Sequence, residues 1–321
     1  MIKRAVVASA LAAAVAWLPA SAQRVASGSA SRPAISEDVS PLEPVAPVAR
    51  DGYRGLAVLR KPPGAGPFPA VVLIHGGLVT RPLDELRRYV LNAPPPSVFL
   101  AAGYVVAVIT YRSRDDDPQS RVSLEDSLAA IDHVAGLRYV DSKSVGVYGC
   151  SGGGDLGLEI AAATTRVPAV VLEEPASIIF AGIFSTHFPK AGPRYTPADA
   201  RPIGSNPKSY YTPELQKLTR AKIDRIHSAI LIIQGDQEPT VVPFNNQVLI
   251  PELRASGKNV EVKSYPGEPH CFAYGGRASD PADALKALDD ADMFFRRHLS
   301  TKPSPVDPSL VTRVPLGRSD R

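Results

Sequence analysis

The sequence predicts an α/β fold: a mostly parallel sheet with helices on both faces. Short Val/Ile-dense runs alternate with longer stretches of helical periodicity from residue 51 to residue 300. Most of the runs also lack polar alternation, as strands buried on both faces do. The runs fall at 56–60, 70–74, 105–110, 144–148, 169–172, 229–233 and 260–264.

Between the runs the pattern predicts helices over 83–102, 123–136, 152–165, 244–256 and 281–299. The last places Ala284, Leu285, Leu288, Ala291, Met293 and Phe294 roughly at i, i+3 and i+4, one apolar stripe. Residues 176–226 break the rhythm. They hold no clear strand and mix prolines with Phe180, Phe184, Phe188, Lys190, Arg194, Tyr195, Tyr210 and Tyr211. This stretch is expected to form a cap over the strand ends, with its aromatic side chains either facing a substrate or packing the cap itself.

The ends of the chain read differently. Residues 1–22 begin with Lys3 and Arg4, continue as an apolar run through Leu18 and close on Ala20-Ser21-Ala22, the three-part layout of a secretory signal peptide. The run is shorter than the roughly 20 residues that span a bilayer, so cleavage after Ala22 is expected rather than a membrane anchor. Residues 23–50 read as a linker and 301–321, with Pro303, Pro305, Pro308 and Pro315, as a flexible tail. One domain, 51–300, remains, with no internal repeat. Cleavage takes the net charge from +4 to +2, and no Lys/Arg run is present, which argues against a nucleic-acid partner. Export places the protein in the periplasm or outside the cell, where disulfides persist.

Chemistry concentrates at three places. Gly149-Cys150-Ser151-Gly152-Gly153 follows the run 144–148 and opens a helix, the strand, turn and helix context that a Gly-x-Ser-x-Gly nucleophile needs. Ser151 is therefore the expected nucleophile; no lysine follows as a phosphate-binding loop would require. His270 lies in the turn Pro266-Gly267-Glu268-Pro269-His270-Cys271-Phe272, directly after the last expected strand, and is the expected general base. Of the other histidines, His133 and His298 fall on helices, His187 and His227 in or beside the cap, and His75 in a loop that offers backbone amides. The acid that orients the base is expected after the run 229–233. Glu238 is favoured there, with Asp236 and, at the end of the preceding run, Glu174 as alternatives. An oxyanion hole is expected from the amide of Gly152 and from Gly77 or Leu78 in the loop after the run 70–74. No metal or cofactor is implied.

In the order Ser151, Glu238, His270, these residues resemble the α/β-hydrolase fold over essentially all of 51–299. Pro69 to Gly77 (PAVVLIHGG), Thr110-Tyr111-Arg112, Asp126, Ile131-Asp132, Val140-Asp141 and Gly149 to Gly153 are similar to its dienelactone-hydrolase and prolyl-oligopeptidase-like branch. The resemblance implies a serine hydrolase acting through an acyl-enzyme. Members of that branch usually carry aspartate where Glu238 stands.

The two cysteines of the chain, Cys150 and Cys271, adjoin Ser151 and His270, so a disulfide between them would staple the catalytic pair. The arrangement resembles the CS-D-HC motif of tannases and fungal feruloyl esterases, confined to those four residues and an acid. The alternative is that Cys150 only fills the elbow as a small apolar side chain. The leading expectation is an exported enzyme that cleaves small-molecule carboxylic esters. A serine peptidase is the first alternative, although fewer than 30 residues between Ala22 and the core leave no room for a large gating domain. A hydrolase-fold binding module without activity is the second.

Overall fold

The computed structural model describes residues 40–77, 79–112, 121–187 and 197–306. The expected signal peptide, most of the expected linker and tail, Leu78, and the cap residues Phe188, Lys190, Arg194 and Tyr195 lie outside them. Among the described residues, no helix is long and apolar enough to cross a membrane.

Eight strands form one sheet: β1 (Glu43–Val45), β2 (Ala57–Arg60), β3 (Phe68–Ile74), β4 (Val105–Ile109), β5 (Val140–Cys150), β6 (Ala169–Glu173), β7 (Ala229–Gly235) and β8 (Val260–Tyr265). Their order is β1-β2-β4-β3-β5-β6-β7-β8. The first two pairings, β1 with β2 and β2 with β4, are antiparallel, and every later one is parallel. Seven of these strands fall on the seven apolar runs. The eighth, β1, lies in the stretch expected to be linker, where Pro44 opposes Val58 and a buried Ala49 follows. Three residues with a proline carry too little periodicity to be read as a strand.

The helices are α1 (Leu83–Asn92), α2 (Pro94–Ala102), α3 (Arg121–Ala135), α4 (Gly152–Ala163), α5 (Ser177–Phe180), α6 (Ile183–His187), α7 (Pro197–Ser205), α8 (Pro207–Tyr210), α9 (Pro213–Ile223), α10 (Val241–Phe244), α11 (Ile250–Ala255) and α12 (Pro281–His298). A π-helical turn, Asn245–Leu249, joins α10 to α11. The helix expected over 83–102 is two, because Pro94, Pro95 and Pro96 cannot continue α1 and instead open α2.

The two-residue period of the strands sorts their side chains between two cores. Val72, Ile74, Ala107, Ile109 and Val147 face α3 and α4, meeting Ile131, Val134, Leu156 and Ile160. Val71, Leu73, Val106, Val108 and Val171 face the other way, against Leu86 and Val90 of α1, Phe99 of α2 and Leu288 and Phe295 of α12. Burying one such aliphatic side chain is worth about 1.5–3 kcal/mol, so both faces must stay covered. Two motif residues serve this frame. Arg112 pairs with Asp126 (Nη2 to Oδ1, 2.7 Å) and with Asp51 (Nη1 to Oδ2, 2.7 Å), tying the end of β4 to α3. Asp141 accepts from the hydroxyls of Ser144 and Thr301, and Val306 N–H donates to the carbonyl of Ala101, so the first residues of the expected tail are docked on the domain.

The described residues of 176–226 carry the helices α5 to α9. Their apolar side chains Ile179, Ile183, Phe184, Ile203 and Leu215 pack with Val241, Phe244 and Val248, and Tyr210 and Tyr211 pack against that cluster. Phe180 joins the core beneath the sheet. Of the described cap aromatics, Phe184, Tyr210 and Tyr211 thus pack the cap itself and Phe180 packs the core below it.

Candidate active site

Ser151 sits between β5 and α4 at φ 54°, ψ −115°, a backbone conformation that non-glycine residues rarely hold. Such strain persists only where neighbours fix it. The Ser151 N–H donates to the carbonyl of Glu173 (2.9 Å), and the Ser151 carbonyl accepts from the amides of Asp155 and Ala176 (both 2.9 Å). The glycines that follow allow the crowding: a Cβ on Gly153 would stand 2.2 Å from the carbonyl oxygen of Ile74, and one on Gly152 2.6 Å from that of Gly77. The elbow is therefore pressed against the loop after β3, and Gly152 and Gly77 are neighbours.

That loop is held by His75 and Tyr111. Their rings stack with centroids 4.6 Å apart, and the Tyr111 hydroxyl donates to the carbonyl of Gly77 (2.6 Å) and lies 3.1 Å from that of His75. The His75 ring also bonds Thr110 Oγ1 (3.1 Å). Burial pushes its pKa down to about 4, so the ring is neutral near pH 7. His75 thus braces the loop through its ring contacts.

His270 follows β8 and shares a cavity of about 410 Å³ with Ser151. The cavity is bounded by Gly76 and Gly77 on one side and by Tyr274, Gly275 and Arg277 on another; Leu86 and Tyr89 of α1 and Val108 give it an apolar wall, and Arg81 and Glu85 stand at α1's entrance. None of the described cap residues lines it. The Cys150–Cys271 disulfide is present, with Cα atoms 5.9 Å apart, and joins the residues adjoining Ser151 and His270.

The carboxylate on His270 is that of Glu174. Its Oε2 lies 2.8 Å from His270 Nδ1 and also accepts from the amide of Cys271, while Oε1 accepts from the amide of Gly235 (2.6 Å). Glu174 is fully buried and also left-handed, at φ 44°. Glu238, the favoured candidate, makes no such contact. Its Oε2 accepts from the amides of Thr240 (3.0 Å), Val241 and Val242 (3.0 Å), the unpaired donors at the start of α10. A carboxylate so placed caps a helix. Asp236 accepts from the amide of Gly267 (2.7 Å) at the surface. The missed signal was the pair Glu173-Glu174 closing a fully apolar strand, since two adjacent buried carboxylates are costly without assigned partners.

Burial pulls the His270 pKa down, but the Glu174 hydrogen bond and the negative charges of Glu174, Glu238 and Glu173 outweigh it and raise it above the ordinary 6.5. The site thus joins a strained serine, a histidine whose Nδ1 is held by a carboxylate, and a close approach of Gly152 to the backbone of Gly77.

The description "Prolyl oligopeptidase family" belongs to the family pattern that matches residues 95–302, well over half of the chain. Mouse acyl-coenzyme A thioesterase 3 is 30% identical over 125 residues, 38% of this chain and 26% of that protein. The chain thus matches about a quarter of that curated relative's length. Among solved structures, a hyperthermophilic esterase from the archaeon Pyrobaculum calidifontis aligns with TM-score 0.58 and 19% identity, over 82% of this chain and 87% of that one. A puromycin-hydrolysing peptidase of Mycobacterium tuberculosis aligns with TM-score 0.60 and 19% identity, over 87% of this chain and 42% of that one. At these identities the two structures speak for the α/β-hydrolase fold.

Proposed function

The chain belongs to the prolyl oligopeptidase family, and from that premise we propose that it is an exported serine hydrolase that cleaves carboxylic esters through an acyl-enzyme on Ser151. The observation that carries the reading is the His270–Glu174 pair, 2.8 Å apart, opening into the same cavity as a serine held at φ 54°. Ser151 Oγ attacks the ester carbonyl and gives its proton to His270 Nε2. Glu174 keeps the other proton on Nδ1 and stabilises the imidazolium that forms. The amide of Gly152, with that of Gly77 or Leu78, receives the oxyanion. His270 then protonates the leaving alcohol, and water, activated by the same histidine, releases the acid.

The disulfide supports export, because such bonds persist in oxidising compartments. Ser151→Ala is expected to lower turnover of p-nitrophenyl acetate by about 10³-fold or more; unchanged turnover refutes the nucleophile. The histidine must be neutral to accept a proton, so its raised pKa moves the acid limb of kcat/KM upward. A pH profile is expected to rise through a midpoint above 6.5; a midpoint below that value argues against the Glu174–His270 unit. The family name also supports peptide-bond cleavage as a second reading. Comparison of peptide anilides with matched esters separates the two.

A further inference from the structure

We propose that Glu173 is a positioning residue for the histidine base: it holds the nucleophile with its backbone and the histidine loop with its side chain. The proposal rests on the reading of Ser151 and His270 as nucleophile and base. Glu173 ends β6, level with Cys150 on β5, and is fully buried. Its carbonyl accepts the Ser151 N–H (2.9 Å). Its carboxylate turns toward the loop after β8, where Oε1 accepts from the amide of Ala273 and Oε2 from that of Tyr274, both at 2.8 Å. The Tyr148 hydroxyl, three residues before Ser151, donates to the same Oε2 (2.6 Å). One residue therefore touches Ser151 and the loop that carries His270.

The loop needs such a clamp. Cys271 lies at φ 55°, strained for a residue with a side chain. Glu174 grips it at His270 Nδ1 and the Cys271 amide; Glu173 grips it two and three residues later. The two backbone partners of the Glu173 carboxyl group are donors only, so each of its oxygens must accept. The position is costly for a charge. Burial raises its pKa to about 7, the Tyr148 hydroxyl opposes the shift, and the adjacent Glu174 adds to it. A glutamine would fill the space more cheaply, but its NH₂ would face an N–H donor.

The test compares Glu173→Gln with Tyr148→Phe on p-nitrophenyl acetate. Both disturb the same buried cluster, so both should lower the melting temperature. Only Glu173→Gln frees the loop, and it is expected to lower kcat by about 10²-fold with little change in KM, while Tyr148→Phe keeps most of kcat. Equal kcat in folded Glu173→Gln and wild type, or equal losses in the two variants, overturns the proposal. If the glutamine variant does not fold, Glu173→Asp retains the charge but withdraws it by one methylene, and wild-type kcat in that variant is equally fatal. Amide exchange in the unaltered protein gives an independent reading: the Ala273 and Tyr274 amides should be strongly protected, and free exchange there refutes the clamp. If Ser151→Ala were as active as the wild type, it is the underlying reading that would fall, not the clamp.

Discussion

Glu174→Gln is expected to lower kcat by about 10³- to 10⁴-fold, in line with loss of a triad carboxylate elsewhere, while Glu238→Gln keeps turnover close to that of the wild type. The two substitutions remove the same charge from residues whose carboxylates hold different donors. In Glu174 one oxygen serves Gly235 and the other serves both Cys271 and His270 Nδ1. A glutamine has one oxygen for these two duties, and its NH₂ meets an N–H whichever way it turns. The imidazole then loses both its tautomer restraint and its counter-charge. Glu238 instead caps the helix that begins at Val241, and loss of that cap costs about 1 kcal/mol of stability. Steady-state kinetics and melting curves on the two variants separate the roles. High activity in Glu174→Gln together with loss in Glu238→Gln would restore Glu238 as the acid.

Removal of the disulfide is expected to act mainly on stability. Cys150 and Cys271 close a loop with a sequence separation of 121, for which the chain-entropy account gives a stabilisation of somewhat under 5 kcal/mol. In a domain of this size the double variant Cys150→Ala/Cys271→Ala should melt about 10 °C or more lower. A staple beside Ser151 and His270 would, if it alone held the pair, make activity fall with stability under a reductant. The structure refines this. The histidine loop is also held at three amides by Glu173 and Glu174, so below its melting temperature the double variant should keep most of its turnover. An unchanged melting temperature would contradict the loop-closure account, and loss of activity in the fully folded variant would make the disulfide itself the element that positions His270.

Much of the site was legible because its signals are local. A strained strand-to-helix turn needs glycines beside the serine, so Gly149 to Gly153 marks Ser151 wherever the chain goes next. A histidine in a tight turn directly after the last strand reaches the same rim of a parallel sheet. The acid carries no such local mark. Strands β6 and β7 are parallel neighbours, with Glu173 level with Ile233, so residues just past their two ends share one rim. Sequence spacing cannot choose between them, and the amides that fix Glu174 come from the last residue of β7, Gly235, and from Cys271 in the segment after β8. Glu238 looked suitable by position, but the unpaired donors of the helix starting three residues later claim its carboxylate.

The amino-acid sequence by itself determined the α/β architecture, seven of the eight strands, the glycine-flanked turn at Ser151, the histidine turn and the cysteine pair. Each is written in hydrophobic period, turn chemistry or adjacency, which act over a few residues. Only the tertiary structure decided which carboxylate meets His270, that the cap's described aromatic side chains pack inward, and that α1 and the histidine loop wall the cavity. Those choices depend on which strand ends and loops lie side by side, a relation between segments up to 185 residues apart, with no local period to record it.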